Sequence, residues 1–364
     1  MRLAIVHDYL NQFGGAERVV STLHEIWPEA PIYTSIYDPA AMPEQFSRMD
    51  IRVSFMQNLP LVRRFFKVYF FLYPLAFERF DLSEYDVILS SSSAYAKGVR
   101  KRPGQLHVCY CHTPARFLWR YDDYVARENI PAVFRHVLPF LIEPIRQWDR
   151  SNSGQVDLFA ANSQNVAERI RQTYGRESVI INPPVESALF QPSSVTLDYF
   201  LVVSRLAAYK RLDIVIEAFN RLGLPLKIIG SGLARRQLEK LAGPEIEFLG
   251  RVSEAQLAKH LAECRALIFP GEEDFGIVPL EAMASGRPVI AYRAGGALET
   301  VIDEVTGIMF DEQTPHSLEL ALKRFQFESF DKAALRSHAV GFDKEVFKSK
   351  IRELVETKAR ERDL

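Results

Sequence analysis

The chain lacks the features of several protein classes. Three cysteines in 364 residues, Cys109, Cys111 and Cys264, are too few for a disulfide framework. With no charged-then-apolar leader after Met1, they fit a reducing cytosol. No uninterrupted apolar run approaches the ~20 residues that cross a bilayer. An excess of one charge is also missing, since 45 basic residues face 46 acidic ones. No global field can then hold a nucleic acid, and a phosphate group must be met locally. Short repeats and low-complexity segments do not occur.

What is present is regular alternation. A chain of this length is expected to form two domains of roughly 150–200 residues, each with its own core. In the second half, short apolar runs at 198–204, 226–230, 246–250, 266–270, 288–292 and 307–310 read as buried strands. Amphipathic stretches such as 211–222 and 254–264 separate them. The first half repeats the pattern less evenly at 2–8, 31–38, 86–92, 107–113, 156–163 and 178–185. Strand–helix alternation of this kind builds parallel sheets, so the expected fold is α/β, with two doubly wound Rossmann-like domains. Apolar periodicity lapses over 186–197, where Pro192, Ser193 and Ser194 cluster. The domains are therefore placed at 1–190 and 191–342, with 343–364 a charged amphipathic helix expected to pack across the outside of both.

Ligands of open α/β sheets bind beyond the carboxyl ends of the strands, which directs attention to the residues just after each strand. After the first strand, Gly14 and Gly15 precede a helix start, a place where backbone N–H groups and the helix dipole can meet an anion. Gly-Gly is equally what a tight strand-to-helix turn needs. After 198–204 come Arg205 and Lys210, a fork and a point charge suited to a diphosphate; Arg211 is read as solvated. The stretch 230–235, Gly-Ser-Gly-Leu-Ala-Arg, holds two-thirds of a dinucleotide fingerprint, but Arg235 replaces the third glycine, which argues against a nicotinamide cofactor.

After the strand at 266–270, Glu273 and Glu281 flank Phe275, Gly276, Ile277 and Pro279. Proline favours the first helical turn, so the N–H groups of Gly276 and Ile277 are free for an oxyanion or hydroxyls, and Glu281 lies one turn into the helix, leaning toward its start. One carboxylate can reach a sugar ring and the other a ribose diol. The helix dipole alone also favours two glutamates there. Cys109, Cys111 and His112 fit no usual zinc spacing, and no metal site is expected.

These residues carry a resemblance. The stretch 273–301, EDFGIVPLEAMASGRPVIAYRAGGALETV, resembles the E-x7-E region of glycosyltransferase family 4, retaining enzymes of the GT-B fold in which two Rossmann-like domains face a central cleft. SRLAAYKRLD, FLGRVS (248–253) and the N-terminal Gly-Gly loop extend the likeness. HDYLNQFGGAERV, YCHTPARFLW and RQWDR resemble a bacterial mannosyltransferase-like subgroup that acts in O-antigen and exopolysaccharide assembly.

The resemblance implies a set of roles. Arg205 and Lys210 hold the donor diphosphate and stabilise the leaving charge. Glu273 contacts hydroxyls of the transferred sugar, Phe275, Gly276 and Ile277 offer N–H groups to sugar and phosphate, and Glu281 binds the ribose. Gly250, Arg251 and Val252 lie near the base, Gly14 and Gly15 border the donor, and His112 approaches the transferred sugar. The implied activity is metal-independent hexosyl transfer by front-face attack, from GDP-mannose to a glycan or lipid-linked acceptor. A UDP-hexose fits the same motifs, and a nucleotide-sugar epimerase would use them without an acceptor. No cofactor beyond the donor cosubstrate is expected.

The segment 59–80, LPLVRRFFKVYFFLYPLAFERF, is unusually apolar and aromatic for a surface helix. Its reading stays open between a buried Phe-rich helix and an interface in which aromatics dip into a membrane. In the second reading Arg63, Arg64 and Lys67, joined by Lys97, Arg100, Lys101 and Arg102, meet anionic headgroups. A cytoplasmic enzyme peripheral to the membrane would result.

Overall fold

The computed structural model of the chain describes residues 1–121 and 132–364, with side chains from residue 138 onward in the second stretch. The chain divides into two units. The first is Met1–Pro184 together with Phe347–Leu364, and the second is Val185–Val346. The chain leaves the first unit at 184, six residues before the boundary read at 190. The C-terminal helix Lys344–Arg360 belongs for most of its length to the first unit, where Phe347, Ile351, Val355 and Ala359 are buried in the core.

In the first unit seven strands form one parallel sheet: β1 Leu3–His7, β2 Ile32–Thr34, β3 Ile51–Val53, β4 Val87–Ser92, β5 Leu106–Cys111, β6 Leu158–Ala161 and β7 Ser178–Ile180. Their order is β3-β2-β1-β4-β5-β6-β7. The second unit has six, β8 Phe200–Val203, β9 Leu226–Ile229, β10 Ile246–Gly250, β11 Leu267–Phe269, β12 Val289–Tyr292 and β13 Gly307–Phe310, in the order β10-β9-β8-β11-β12-β13, again parallel. Parallel sheets are covered by helices on both faces, which is why strands such as LAIVH and VILSSS are buried at every position. Twelve strands stand where the apolar runs place them. The exception is β3, a three-residue, half-exposed edge strand of sequence IRV, too short and too polar to show a period.

Helices start and stop on local chemistry. Ser163, Ser253, Thr314 and Asp331 cap N-termini by accepting a backbone N–H. Gly175 and Gly223 end helices in the left-handed conformation. Helix Leu212–Leu222 buries Leu212, Ile214, Val215, Ala218 and Phe219 against its sheet. Helix Ile277–Ala284 is covered all round, with everything from Pro279 to Ala284 buried.

The basic run after β4 is not a uniform surface patch: Lys97 is withdrawn into the core while Arg100 and Arg102 stay exposed. Lys97 is 2% exposed and pairs with Asp149, which also accepts from Trp119 Nε1 at 2.7 Å and Tyr174 OH at 2.8 Å. Burial lowers the Lys97 pKa, but the Asp149 carboxylate outweighs it and the net direction is up. Arg100 pairs with Glu78, Lys101 with Asp157 and Arg102 with Asp81. The segment 59–80 is divided between core and surface. Val62, Tyr73, Ala76 and Phe77 enter the core of the first unit, while Leu61 (69%) and Val68 (63%), with Phe65, Phe71 and Leu75, stay exposed. No helix among the described residues is long and apolar enough to cross a membrane.

His107 on β5 is fully buried, with Nε2 2.8 Å from Ser90 Oγ. Burial holds its imidazole down to about 3, against the opposing pull of Asp157, where the ordinary value is 6.5. Between those limits the unfolded chain binds a proton that the folded chain refuses. Stability is therefore full above pH 6.5 and falls as the pH drops, by up to about 1.4 kcal/mol per pH unit from this group. Urea unfolding between pH 7 and 4 is expected to show this decline, and His107→Gln should flatten it. An unchanged slope in the variant would locate the acid sensitivity elsewhere.

Candidate active site at the strand ends

In each sheet the strand order reverses once, between β1 and β4 in the first unit and between β8 and β11 in the second. Crossovers leaving such neighbours go to opposite faces, so a crevice opens beyond their carboxyl ends. The candidate residues are built around these two points, and each cluster is described within its own unit.

In the second unit the loop after β8 carries Arg205 and Lys210, and the loop after β11 carries Glu273. The structure brings two of these together: Lys210 Nζ forms an ion pair with Glu273 Oε1, both side chains being mostly covered. Arg205 is exposed and donates to Tyr209 OH at 2.7 Å, while Lys210 lies over the Tyr209 ring at 5.0 Å. Tyr209 thus organises both cations. Arg211, read as solvated, is in the left-handed conformation and bonds Asp213 and the Gln313 carbonyl.

The 271–276 loop is shaped by glycine. Gly276 has φ 93° and stands before helix Ile277–Ala284 with no side-chain cap, a helix start with N–H groups left for a ligand. Phe275 is buried and packs on Phe342 at 5.8 Å, so it anchors the loop and leaves its backbone to act. Pro279 is the third helical residue. Glu281 is 3% exposed within the same covered helix, a burial that a solvated helix-face glutamate would not have.

Nearby in the same unit, the 230–232 turn touches the 250–252 segment. Gly230 N donates to the Gly250 carbonyl at 2.8 Å, Arg251 Nε to Ser231 Oγ at 2.8 Å, and Val252 packs on the core. The two glycines of the broken fingerprint have a structural reason. A Cβ on Gly230 would stand 1.8 Å from the Ser204 carbonyl oxygen, and one on Gly232 2.2 Å from that of Leu206. They let the loops after β8 and β9 lie backbone to backbone.

In the first unit Gly14 caps helix Gly15–Ile26, with its N–H held by Glu17 Oε2 at 2.8 Å. His112 follows β5, its Nε2 2.8 Å from Ser91 Oγ and its ring edge-on to Tyr110. His7, at the end of β1, lies 6.5 Å from it ring to ring. Asp8 is buried and accepts from the backbone N–H groups of Ser93, Ala94, Tyr95 and Ala96 at 2.6–3.0 Å, and from Ser93 Oγ. It fixes the loop after β4, 85 residues along the chain.

Sequence reasoning missed Asp8, His7, Ser91 and the pair Gly295–Gly296. Gly296 N donates to the Glu273 carbonyl at 2.9 Å, and Cβ atoms on Gly295 and Gly296 would stand 2.3 Å from Glu273 O and 2.1 Å from Phe275 O. The signal was available: Gly295–Gly296 stand between β12 and the helix Ala297–Thr300, as Gly14–Gly15 stand at the start of the helix that follows β1.

Comparison with known proteins bears on the family and the fold. Residues 13–189 match the profile described as Glycosyltransferase Family 4, and residues 190–334 that described as Glycosyl transferases group 1. The human alpha-1,3/1,6-mannosyltransferase ALG2 is 26% identical over 88% of this chain and 86% of its own length. An uncharacterised glycosyltransferase of Methanocaldococcus jannaschii is 32% identical, over 40% of this chain and 42% of that protein. Among solved structures, HepE of Anabaena in complex with UDP has a TM-score of 0.72 at 17% identity, covering 98% of this chain and 100% of its own. The two parallel-sheet units are those of the GT-B fold.

Gly296→Ala tests how the loop is held. With no room beside the Phe275 carbonyl, the variant is expected to lose about 1–3 kcal/mol, the usual cost of overpacking, read as a lowered urea midpoint of the second unit. A midpoint equal to wild type would mean that the contact with 271–276 does not constrain the loop.

Proposed function

Because the chain belongs to the glycosyltransferases of the family 4 type, we propose that it is a retaining hexosyltransferase that moves mannose from GDP-mannose to a glycan or lipid-linked acceptor. The observation that carries this is the Lys210–Glu273 pair at the β8/β11 strand ends. A donor diphosphate is a better partner for Lys210 than one carboxylate, and with Arg205 beside it the anion takes the lysine. Glu273 is then released to accept from sugar hydroxyls. Phosphate binding and sugar recognition are coupled through one exchange of partners.

Breaking the anomeric bond builds positive charge on the sugar and negative charge on the leaving phosphate. Arg205, Lys210 and the N–H groups at Gly276 and Ile277 stand preorganised for the second, so leaving-group stabilisation comes from the chain's own charges. Glu281 takes the ribose and Gly250, Arg251 and Val252 border the base; within the first unit, Gly14, Gly15 and His112 keep the donor and sugar roles that the resemblance implies. With no carboxylate assigned as nucleophile, the acceptor attacks from the front face, assisted by the leaving phosphate oxygen. Mannose is supported by the likeness to ALG2, named a mannosyltransferase. A UDP-hexose is the second reading, favoured by the likeness to HepE, which was solved with UDP.

Turnover of a nucleotide-sugar panel tests both readings. GDP-mannose is expected to be used best, with activity unaffected by EDTA. Arg205→Ala and Lys210→Ala should each lose roughly 2–4 kcal/mol of transition-state stabilisation. Glu273→Ala should abolish most transfer with the fold intact, and Glu281→Ala should mainly weaken donor binding. Near-normal turnover in both glutamate variants would overturn the site, and a strict requirement for added divalent metal would overturn the mechanism.

The reading extends to the acceptor. Exposed Leu61, Phe65, Val68 and Phe71 are interleaved with exposed Arg63, Arg64 and Lys67, the composition that inserts at an anionic interface, where each basic residue contributes about 1 kcal/mol. Such a surface would bring a cytoplasmic enzyme to a lipid-linked acceptor. Co-sedimentation with vesicles should rise with anionic lipid and fall with salt, and Arg63→Gln/Arg64→Gln/Lys67→Gln should lose most of the bound fraction. Binding indifferent to lipid charge and to these residues would remove the membrane from the proposal.

A further inference from the structure

Ser91, on β4, places its hydroxyl between two histidines, 3.2 Å from His7 Nδ1 and 2.8 Å from His112 Nε2. The direction of each bond follows from what each atom is able to do. His7 Nδ1 also lies 3.0 Å from the Ser91 carbonyl oxygen, an atom that can only accept, so that nitrogen carries a hydrogen. On the His7 side Ser91 Oγ is therefore an acceptor. Ser91 is fully buried, and of its hydroxyl's two contacts among the described residues only His112 Nε2 can take its hydrogen. A buried hydroxyl hydrogen seeks an acceptor, so Nε2 offers the lone pair and the hydrogen of a neutral His112 ring sits on Nδ1. The edge-on contact with Tyr110 at 5.2 Å holds the ring plane. Behind His7 stands Glu17, whose Oε1 is 3.9 Å from His7 Nε2 and whose Oε2 holds the Gly14 N–H. One chain of contacts thus runs from the Gly14–Gly15 loop through Glu17, His7 and Ser91 to His112.

We propose that Ser91 is a positioning residue that locks His112 in the Nδ1–H tautomer, so that His112 meets the transferred sugar as a hydrogen-bond donor and not as a base through Nε2. The proposal rests on the reading that His112 faces the sugar. A serine serving merely to satisfy a buried polar position would have no influence on where the histidine proton sits.

The test is the ring-nitrogen spectrum of the full chain labelled with ¹⁵N-histidine, with His112 assigned by its loss in His112→Gln. Wild type is expected to show His112 as the Nδ1–H form, and Ser91→Ala a mixture with the Nε2–H form. Turnover of GDP-mannose should fall up to about tenfold in Ser91→Ala, the worth of one hydrogen bond, with the donor KM within about twofold. Ser91→Thr, which keeps the hydroxyl, should restore both tautomer and turnover. Should Ser91→Ala fail to fold, the wild-type and Ser91→Thr spectra still decide. A wild-type Nε2–H form, or a tautomer unmoved in Ser91→Ala, overturns the role of Ser91 whatever the activities are. Full turnover in His112→Ala instead overturns the sugar-facing reading of His112, and does so with the tautomer result untouched.

Discussion

The mouth of the second unit depends on the absence of two β-carbons. Gly295 and Gly296 let the loop after β12 press its backbone onto the carbonyls of Glu273 and Phe275, and that contact sets where the 271–276 loop lies. From there the rest follows. Phe275 turns inward onto Phe342, Gly276 takes a left-handed conformation, and the next residue opens a helix with uncapped N–H groups. Glu273 is delivered to Lys210. A side chain at 295 or 296 would press on the carbonyls of Glu273 and Phe275, although neither glycine has a side chain of its own to offer a ligand.

The electrostatics of the two units differ in kind. In the second, the central ion pair sits at a strand end where both side chains keep some contact with water. In the first, Lys97 and Asp149 are sealed from water, and Trp119 and Tyr174 satisfy the remaining carboxylate oxygen. Removing one partner there would strand a buried charge, at a cost of several kcal/mol. Asp8 is different again, a carboxylate whose acceptors' capacity is filled by the backbone of a single loop. The same residue types thus form a part-exposed pair, a sealed pair and a captured loop, according to burial and partner.

Much of this was legible in the sequence because parallel strands buried on both faces leave continuous apolar runs. Twelve of the thirteen strands announce themselves in that way, and β3 does not. Arg205, Lys210 and Glu273 were legible because strand-end position is a local property. The rest required contacts between distant residues. Nothing near Asp8 shows that it would bind backbone 85 residues away, and nothing near Lys97 separates it from Arg100, Lys101 and Arg102, yet Asp149 draws it into the core and leaves the other three paired at the surface. Segment 59–80 divides its apolar residues between core and solvent because it is broken into short turns, a geometry that a helical period does not anticipate.

The first unit is made of two separated stretches of chain, with the second unit inserted between them. Phe347, against Tyr110 at 5.5 Å, together with Ile351, Val355 and Ala359, completes a core that begins at Leu3. During synthesis the second unit, continuous in sequence, has all of its residues before the first one does. The order of folding need not follow the order of translation. Helix Gly15–Ile26 covers part of this core early, but its last members, Phe347 to Ala359, are added only when residue 359 has left the ribosome. Apolar surface left open over such an interval is what makes multidomain chains prone to aggregate.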